Sequence, residues 1–252
     1  EFCGTGQPFQ QTDVFVIRKS SVLSGGPIVV TAFRGLMTAT GGYVGPWSAR
    51  GVDNYDPASN EGYFISTDGA SYGTMWLNRV ANPGGTPTLS ANIQITLPTT
   101  NGPRPVPHPS NTGGYWGRLD PLDDRYFTVH IRNQQLWTAH NIGVDNTGVS
   151  EGTYLGDTRV GSRWYHLNVP ANTGTPSIVE MGTVFTPSAS NDSLQKNCFI
   201  PSIMVSGQGH VAMGLTTAGE TANANAATIG RFANDAPGTM QSLTAITSNT
   251  NT

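Results

Sequence analysis

Lysine is nearly missing from this chain. Lys19 and Lys196 are the two lysines among 252 residues, charged residues make up 12% and the formal net charge is −3. Without a basic stripe there is nothing to neutralise a phosphate backbone, which argues against nucleic acid as a partner. Cysteine is almost as scarce. Cys3 and Cys198 could form one bridge if their Cα atoms approach within about 7 Å, whereas Cys198, just before Phe199-Ile200, also reads as a buried free thiol. No apolar run approaches the roughly 18 residues that would span a bilayer. The chain opens on Glu rather than Met and shows no signal-peptide pattern. Long helix-forming runs are lacking too; the stretch Thr217 to Ala227 could form a short helix, although a loop is expected there.

What the chain has in quantity is turn chemistry, with 31 Gly, 17 Pro and many Thr, Ser and Asn, and that composition points to an all-β fold. A unit recurs four times: an Arg in an apolar strand-like run, a Gly/Pro/Asn/Thr turn, and a second strand-like run. The copies are Val14-Phe-Val-Ile-Arg18, Gly25-Gly-Pro and Ile28 to Phe33; Trp76-Leu-Asn-Arg79-Val80, Pro83-Gly-Gly-Thr-Pro87 and Leu89 to Leu97; Arg163-Trp-Tyr-His-Leu167, Asn172-Thr-Gly-Thr-Pro176 and Ile178 to Phe185; and Ile229-Gly-Arg231-Phe232, Pro237-Gly-Thr and Met240 to Ile246. The arginines recur at intervals of 61, 84 and 68 residues (18 to 79, 79 to 163, 163 to 231), as in an array of supersecondary units.

Between copies lies a second pair of apolar runs, such as Tyr126 to Arg132 and Gln135 to Ile142, or Phe199 to Val205 and His210 to Leu215. Each full period therefore holds about four strands, the content of one propeller blade. The expectation is a single β-propeller or partial propeller of four-stranded antiparallel blades, with a half blade at about 13–36 and blades at about 47–98, 123–186 and 198–247. The half blade lacks its inner strands, so the chain is expected to be a segment of a longer protein, with another segment or chain covering the edge from Asp13 to Ile17. Arg79, Arg163 and Arg231 are expected on equivalent third strands. The Pro-rich stretch from Gly102 to Pro109 reads as an extended inter-blade loop or a partner-binding motif.

Asp123-Asp-Arg-Tyr-Phe127, Leu136-Trp-Thr-Ala-His-Asn141, Arg163-Trp-Tyr165 and Ile200-Pro-Ser-Ile-Met-Val-Ser-Gly-Gln-Gly-His210 resemble large bacterial extracellular proteins that carry propeller-type repeats. The resemblance runs from Asp13 to about Ile246. It implies the fold, an extracellular location and a propeller that continues upstream, and it brings no catalytic signature. A sialidase-type Asp-box is echoed only by Ser66-Thr-Asp68-Gly69 with Trp76, at a different spacing, so no glycosidase residue is carried over. Low charge with abundant Thr, Asn and Gly also suits secretion.

Candidate chemistry is sparse. Asp53 and Asp56, and Asp120, Asp123 and Asp124, stand just before apolar strands. Such residues cap turns, hold a structural calcium ion, here at Asp120, Asp123 and Asp124, or supply the paired carboxylates of a glycoside hydrolase, here Asp53, Asp56, Asp123 and Asp124. Asp145 and Asp157 read as turn residues first. If Asn133-Gln134 is a two-residue turn, His130 pairs with Trp137, and His130 and His140 point to opposite faces and cannot share a metal. The same parity puts Tyr126 on the face of Trp137. Ser202 reads as a buried hydroxyl. Trp137, Trp164 and Tyr165 read as core. Trp47, Tyr115 and Trp116 lie in Gly-rich loops and are the candidates for stacking on a sugar. The favoured function is a non-enzymatic extracellular module that contacts glycan or protein, with a propeller glycoside hydrolase or a subunit of a cell-surface assembly as alternatives.

Overall fold

The computed structural model describes residues 9–56, 59–111, 113–150, 159–187 and 196–247. β-Branched and aromatic residues alternating with small polar ones give strands throughout. They gather into one hairpin and three antiparallel meanders. The hairpin pairs β1 (Gln11–Ile17) with β2 (Val30–Thr38), connected through a single helical turn, α1 (Lys19–Leu23). The second sheet runs β3 (Pro46–Gly51), β5 (Glu61–Asp68) and β6 (Thr74–Ala81), with β7 (Thr88–Leu89) and β8 (Ile93–Thr96) both on β6. The third runs β9 (Thr128–Arg132), β10 (Gln135–Val144), β11 (Arg159–Asn168) and β12 (Ser177–Val184); β4 (Asp53–Asn54) adds a parallel strand to its β9 edge. The fourth runs β13 (Asn197–Val205), β14 (Val211–Gly219), β15 (Ala222–Arg231) and β16 (Thr244–Ala245). No helix among the described residues is long and apolar enough to cross a membrane.

Strand parity explains how the sheets stack. The Asn133-Gln134 turn has φ of 53° and 61°, the left-handed pair that matches the twist of a hairpin, and it pairs His130 with Trp137 as the sequence predicts. Val129, Ile131, Leu136, Tyr165 and Leu167 therefore face the second sheet and pack with Tyr63, Ile65, Met75 and Leu77. Trp137, Ala139 and Trp164 face the other way and pack with Ile203, Val205, Met213 and Ile229 of the fourth sheet. A sheet buried on both faces must be apolar on both, which is why β10 reads as a continuous buried run.

The arginines of the repeat join these sheets in series. Arg18 Nη2 donates to the Gly85 carbonyl, 2.6 Å, in the turn after the third strand of the second sheet. Arg79 Nη2 donates to the Gly174 carbonyl, 2.7 Å, in the corresponding turn of the third sheet. Beside it, Glu61 pairs with Arg79 and accepts the Asn172 N–H at 3.0 Å. Between the third and fourth sheets Glu180 plays that part, accepting the Gly238 N–H at 3.0 Å and bonding Arg231 and His166. Each turn that follows a third strand is thus held by the sheet before it.

Arg79, Arg163 and Arg231 all lie on third strands. Arg163, however, sits mid-strand and stays within its sheet, on Thr183 Oγ1 and Met181 Sδ. Other expectations need correction. Thr217 to Ala227 contains no helix; β14 and β15 meet there around Glu220-Thr221, because the Ala/Asn/Thr alternation suits a strand. Tyr126 packs on the face of Leu136 rather than that of Trp137, since the strand and its alternation begin only at Thr128. Ser202 is exposed rather than buried. Ile200, at φ 53°, interrupts the ladder as a bulge and resets which side chains point inward. Trp47 belongs to β3 rather than to a loop. Cys198 is a free, buried thiol, and Cys3 lies outside the described residues.

Truncating the buried Arg79 leaves the half-buried Glu61 carboxylate without its cation and loosens the Gly174 turn, so Arg79→Ala should cost about 3 kcal/mol in chemical denaturation. Arg34, whose side chain is 63% exposed in its pair with Asp13, should cost below ~0.5 kcal/mol on the same substitution. Equal losses at the two positions would mean that the serial ties carry no stability.

Candidate ligand-binding cleft

One buried carboxylate builds the walls of the main aromatic cleft. Asp68, at the end of β5, accepts the Gly45 N–H at 2.7 Å and Trp76 Nε1–H at 2.8 Å, then the Ser71 hydroxyl at 3.0 Å and the Ala70 N–H at 3.2 Å. These bonds draw the loop before β3 onto the turn between β5 and β6. That loop passes through left-handed backbone at Gly42 and Tyr43, φ 71° and 63°. It comes so close to Gly69 that a Cβ there would lie 2.5 Å from the Tyr43 carbonyl oxygen, which leaves glycine as the residue that fits.

The result is a cleft of about 430 Å³ lined by Phe9, Tyr43, Trp47 and Tyr72 on one part and by Asp68, Asp123 and Asp124 on the other. The Phe9 ring lies 5.9 Å from that of Tyr43 and 5.1 Å from that of Trp47, tilted against both. Trp47 is half-buried, while Tyr43 and Tyr72 are exposed.

The three carboxylates differ sharply in their partners. Burial raises the pKa of Asp123, but hydrogen bonds from Arg125 outweigh it, Nε and Nη2 both at 2.6 Å and N–H at 3.0 Å, and hold the carboxyl below its ordinary range. Asp124 is 7% exposed. Burial, reinforced by the charges of Asp123 and then Asp68, pushes it from 3.8 up to about 7, against a smaller pull from its own backbone N–H and Arg125. Its main chain is anchored firmly: His140 Nδ1–H donates to the Asp124 carbonyl at 2.6 Å, and His140 Nε2 accepts from the Tyr165 hydroxyl at 3.3 Å. Burial holds His140 neutral, with its pKa down to about 4.

The remaining candidates are scattered. Asp56 accepts the Asn133 and Gln134 N–H groups, capping the β9–β10 turn, and lines a separate cleft of about 640 Å³ with Glu61. Asp53 sits on β4 opposite His130. Asp120 accepts the Leu122 N–H at 2.8 Å, and Asp145 those of Thr147 and Val149; Asp157 lies outside the described residues. The carboxylates of Asp53 and Asp56 are thus not brought together with those of Asp123 and Asp124. His130 and His140 lie on opposite faces of the third sheet, His130 accepting the Val205 N–H at 2.9 Å. Among the described residues, no three His, Cys, Asp or Glu side chains converge to hold a metal. Tyr115 and Trp116 occupy a short 3₁₀ turn, Gly114–Gly117, their rings edge to face at 5.5 Å and Trp116 92% exposed. They do not line the cleft with Trp47.

Of the cleft, Trp47, Asp123 and Asp124 stand out in the sequence; Phe9, Tyr43 and Tyr72 do not. The signal for Asp68 was the Ser66-Thr-Asp68-Gly69 echo with Trp76, and the structure joins that Asp and Trp by a hydrogen bond. Compared with known proteins, the chain matches no family model, no curated protein and no solved structure.

A carboxyl whose pKa is raised by folding favours the folded state at low pH, and that contribution is lost as pH rises from about 4 through about 7. Asp124→Asn removes this loss. Relative to the unsubstituted chain, the variant should gain about 2–4 kcal/mol of stability between pH ~4 and pH ~8. Parallel stability curves would show that Asp124 ionises normally.

Proposed function

We propose that the chain is a β-propeller-type module of an extracellular protein and that it binds glycan, without catalysis, in the cleft around Trp47. Three successive four-stranded meanders, stacked face to face and preceded by a pair of strands that carries the same Arg-to-turn tie, support the propeller reading. Among the described residues β1 pairs with β2 alone, and Phe15, Ile17 and Val30 are exposed on that hairpin. A further strand from another segment or chain would cover them, in line with a longer propeller or a cell-surface assembly.

The observation that carries the binding reading is the association of Phe9, Tyr43, Trp47 and Tyr72 with carboxylate acceptors in one open cleft. Sugar rings offer apolar C–H faces to aromatic rings and hydroxyls to carboxylates, so a few polar groups within an aromatic lining suit them. Hydrolysis is the weaker reading. It needs a second carboxylate free to attack or to activate water, whereas Asp68 is engaged by four donors and Asp123 by Arg125.

Calorimetric titration against a panel of soluble oligosaccharides tests this. A bound oligosaccharide should lose about tenfold or more in affinity with Trp47→Ala and little with Trp116→Ala. Loss at Trp116 alone would move the site to the 3₁₀ turn, and turnover of the sugar would favour the hydrolase.

A further inference from the structure

The charge lining the cleft is of one sign. Three acidic residues line it, and among the described residues no Lys, Arg or His does. Two of the three are already spent: Asp68 accepts four donors, and Asp123 is clamped by the Arg125 guanidinium. Asp124 differs from both. The residue is 7% exposed yet lines the cleft, and among the described residues the one hydrogen bond to its carboxyl comes from its own backbone N–H. Placing a carboxylate charge where little water reaches it is costly unless a cation pairs with it. The groups around it explain why nothing inside the fold does. Asp68 and Asp123 repel its charge, Arg125 is committed to Asp123, Tyr72, Tyr126 and Tyr165 are neutral phenols, and His140 is neutral and bonded to the Asp124 carbonyl rather than the carboxyl.

We infer that the cleft receives a cationic amino group on its ligand, with Asp124 as its counter-ion and the rings of Phe9, Tyr43, Trp47 and Tyr72 around it. Resting on the glycan reading above, the ligand is a hexosamine with its amino group free rather than acetylated. A metal ion would ask for several free oxygens, and the cleft offers one free carboxylate. An ammonium carried on carbon needs one carboxylate and the faces of aromatic rings, which attract a cation through their quadrupole. Because Asp124 stays partly protonated up to about pH 7, binding a cation should release a proton, and affinity for a ligand of fixed charge should rise from pH ~5 to pH ~9.

Calorimetry on the intact chain with two matched pairs of probes separates this inference from the glycan reading. The first pair is a glucosamine tetrasaccharide and its fully N-acetylated counterpart. The second is choline and dimethylbutanol, its uncharged carbon isostere. The glucosamine oligomer should bind about tenfold tighter than the acetylated one, and Asp124→Asn should erase that preference. Choline should bind tighter than its isostere, and more so at higher pH. Equal binding of the two tetrasaccharides would overturn the inference while leaving the glycan reading standing. If no saccharide binds but choline outbinds its isostere, the ammonium site stands and the glycan reading falls. If choline is no better than its isostere and no saccharide binds, both fall. The choline comparison uses the unsubstituted chain, so it does not depend on the folding of any variant.

Discussion

Stacking sheets face to face leaves a physical problem at their rims, where the turns after each third strand carry backbone groups that must be satisfied between two sheets. This chain solves it with charge. Arg18, Arg79 with Glu61, and Glu180 each reach into the next sheet's turn and bond its carbonyl or N–H groups, Glu180 also pairing there with Arg231. A buried ion pair gains little over apolar packing, but a half-broken one costs several kcal/mol, about 3–5. The pairs therefore do more to specify which turn meets which sheet than to hold the fold together by themselves. Hydrophobic burial between the sheets supplies the driving force.

The same rule isolates Asp124. The other acids of the clefts are satisfied inside the protein: Glu61 and Glu180 by arginine and backbone, Asp56 by a turn, Asp68 by four donors and Asp123 by Arg125. Asp124 is anchored through its main chain and lines the aromatic cleft, yet among the described residues its carboxyl has no hydrogen-bond partner beyond its own N–H. A fold that bonds its other buried acid, Asp68, and its half-buried acids so consistently makes this exception the natural place for a ligand.

Much of the strand plan was legible in the sequence because period-two alternation and turn residues are local signals. The Asn133-Gln134 hairpin shows this well: its register follows from the turn and the strand parity alone. Bulges were not legible. Ile200 breaks the alternation without a Gly to announce it, so Ser202 emerges exposed. The role of the repeated arginines was also hidden. Their spacing marks the third strands, but a bond from Arg79 to Gly174 spans 95 residues and depends on how one sheet sits on the next. The cleft was half visible for the same reason. Trp47 and the Asp123-Asp124 pair announce themselves by type, whereas Tyr72 follows a turn held by the Asp68 bonds to Ala70 and Ser71, and Phe9 meets the site through the rings of Tyr43 and Trp47.

Carbon-13 NMR of the Asp124 side-chain carboxyl through a pH titration tests directly whether this buried residue keeps its carboxyl for a partner. The resonance should titrate near pH 7, well above the other carboxylates and clearly above Asp123, and its midpoint should fall when the cleft is occupied by a cation. A midpoint in the ordinary carboxylate range, unmoved by choline or glucosamine oligomer, would contradict the account.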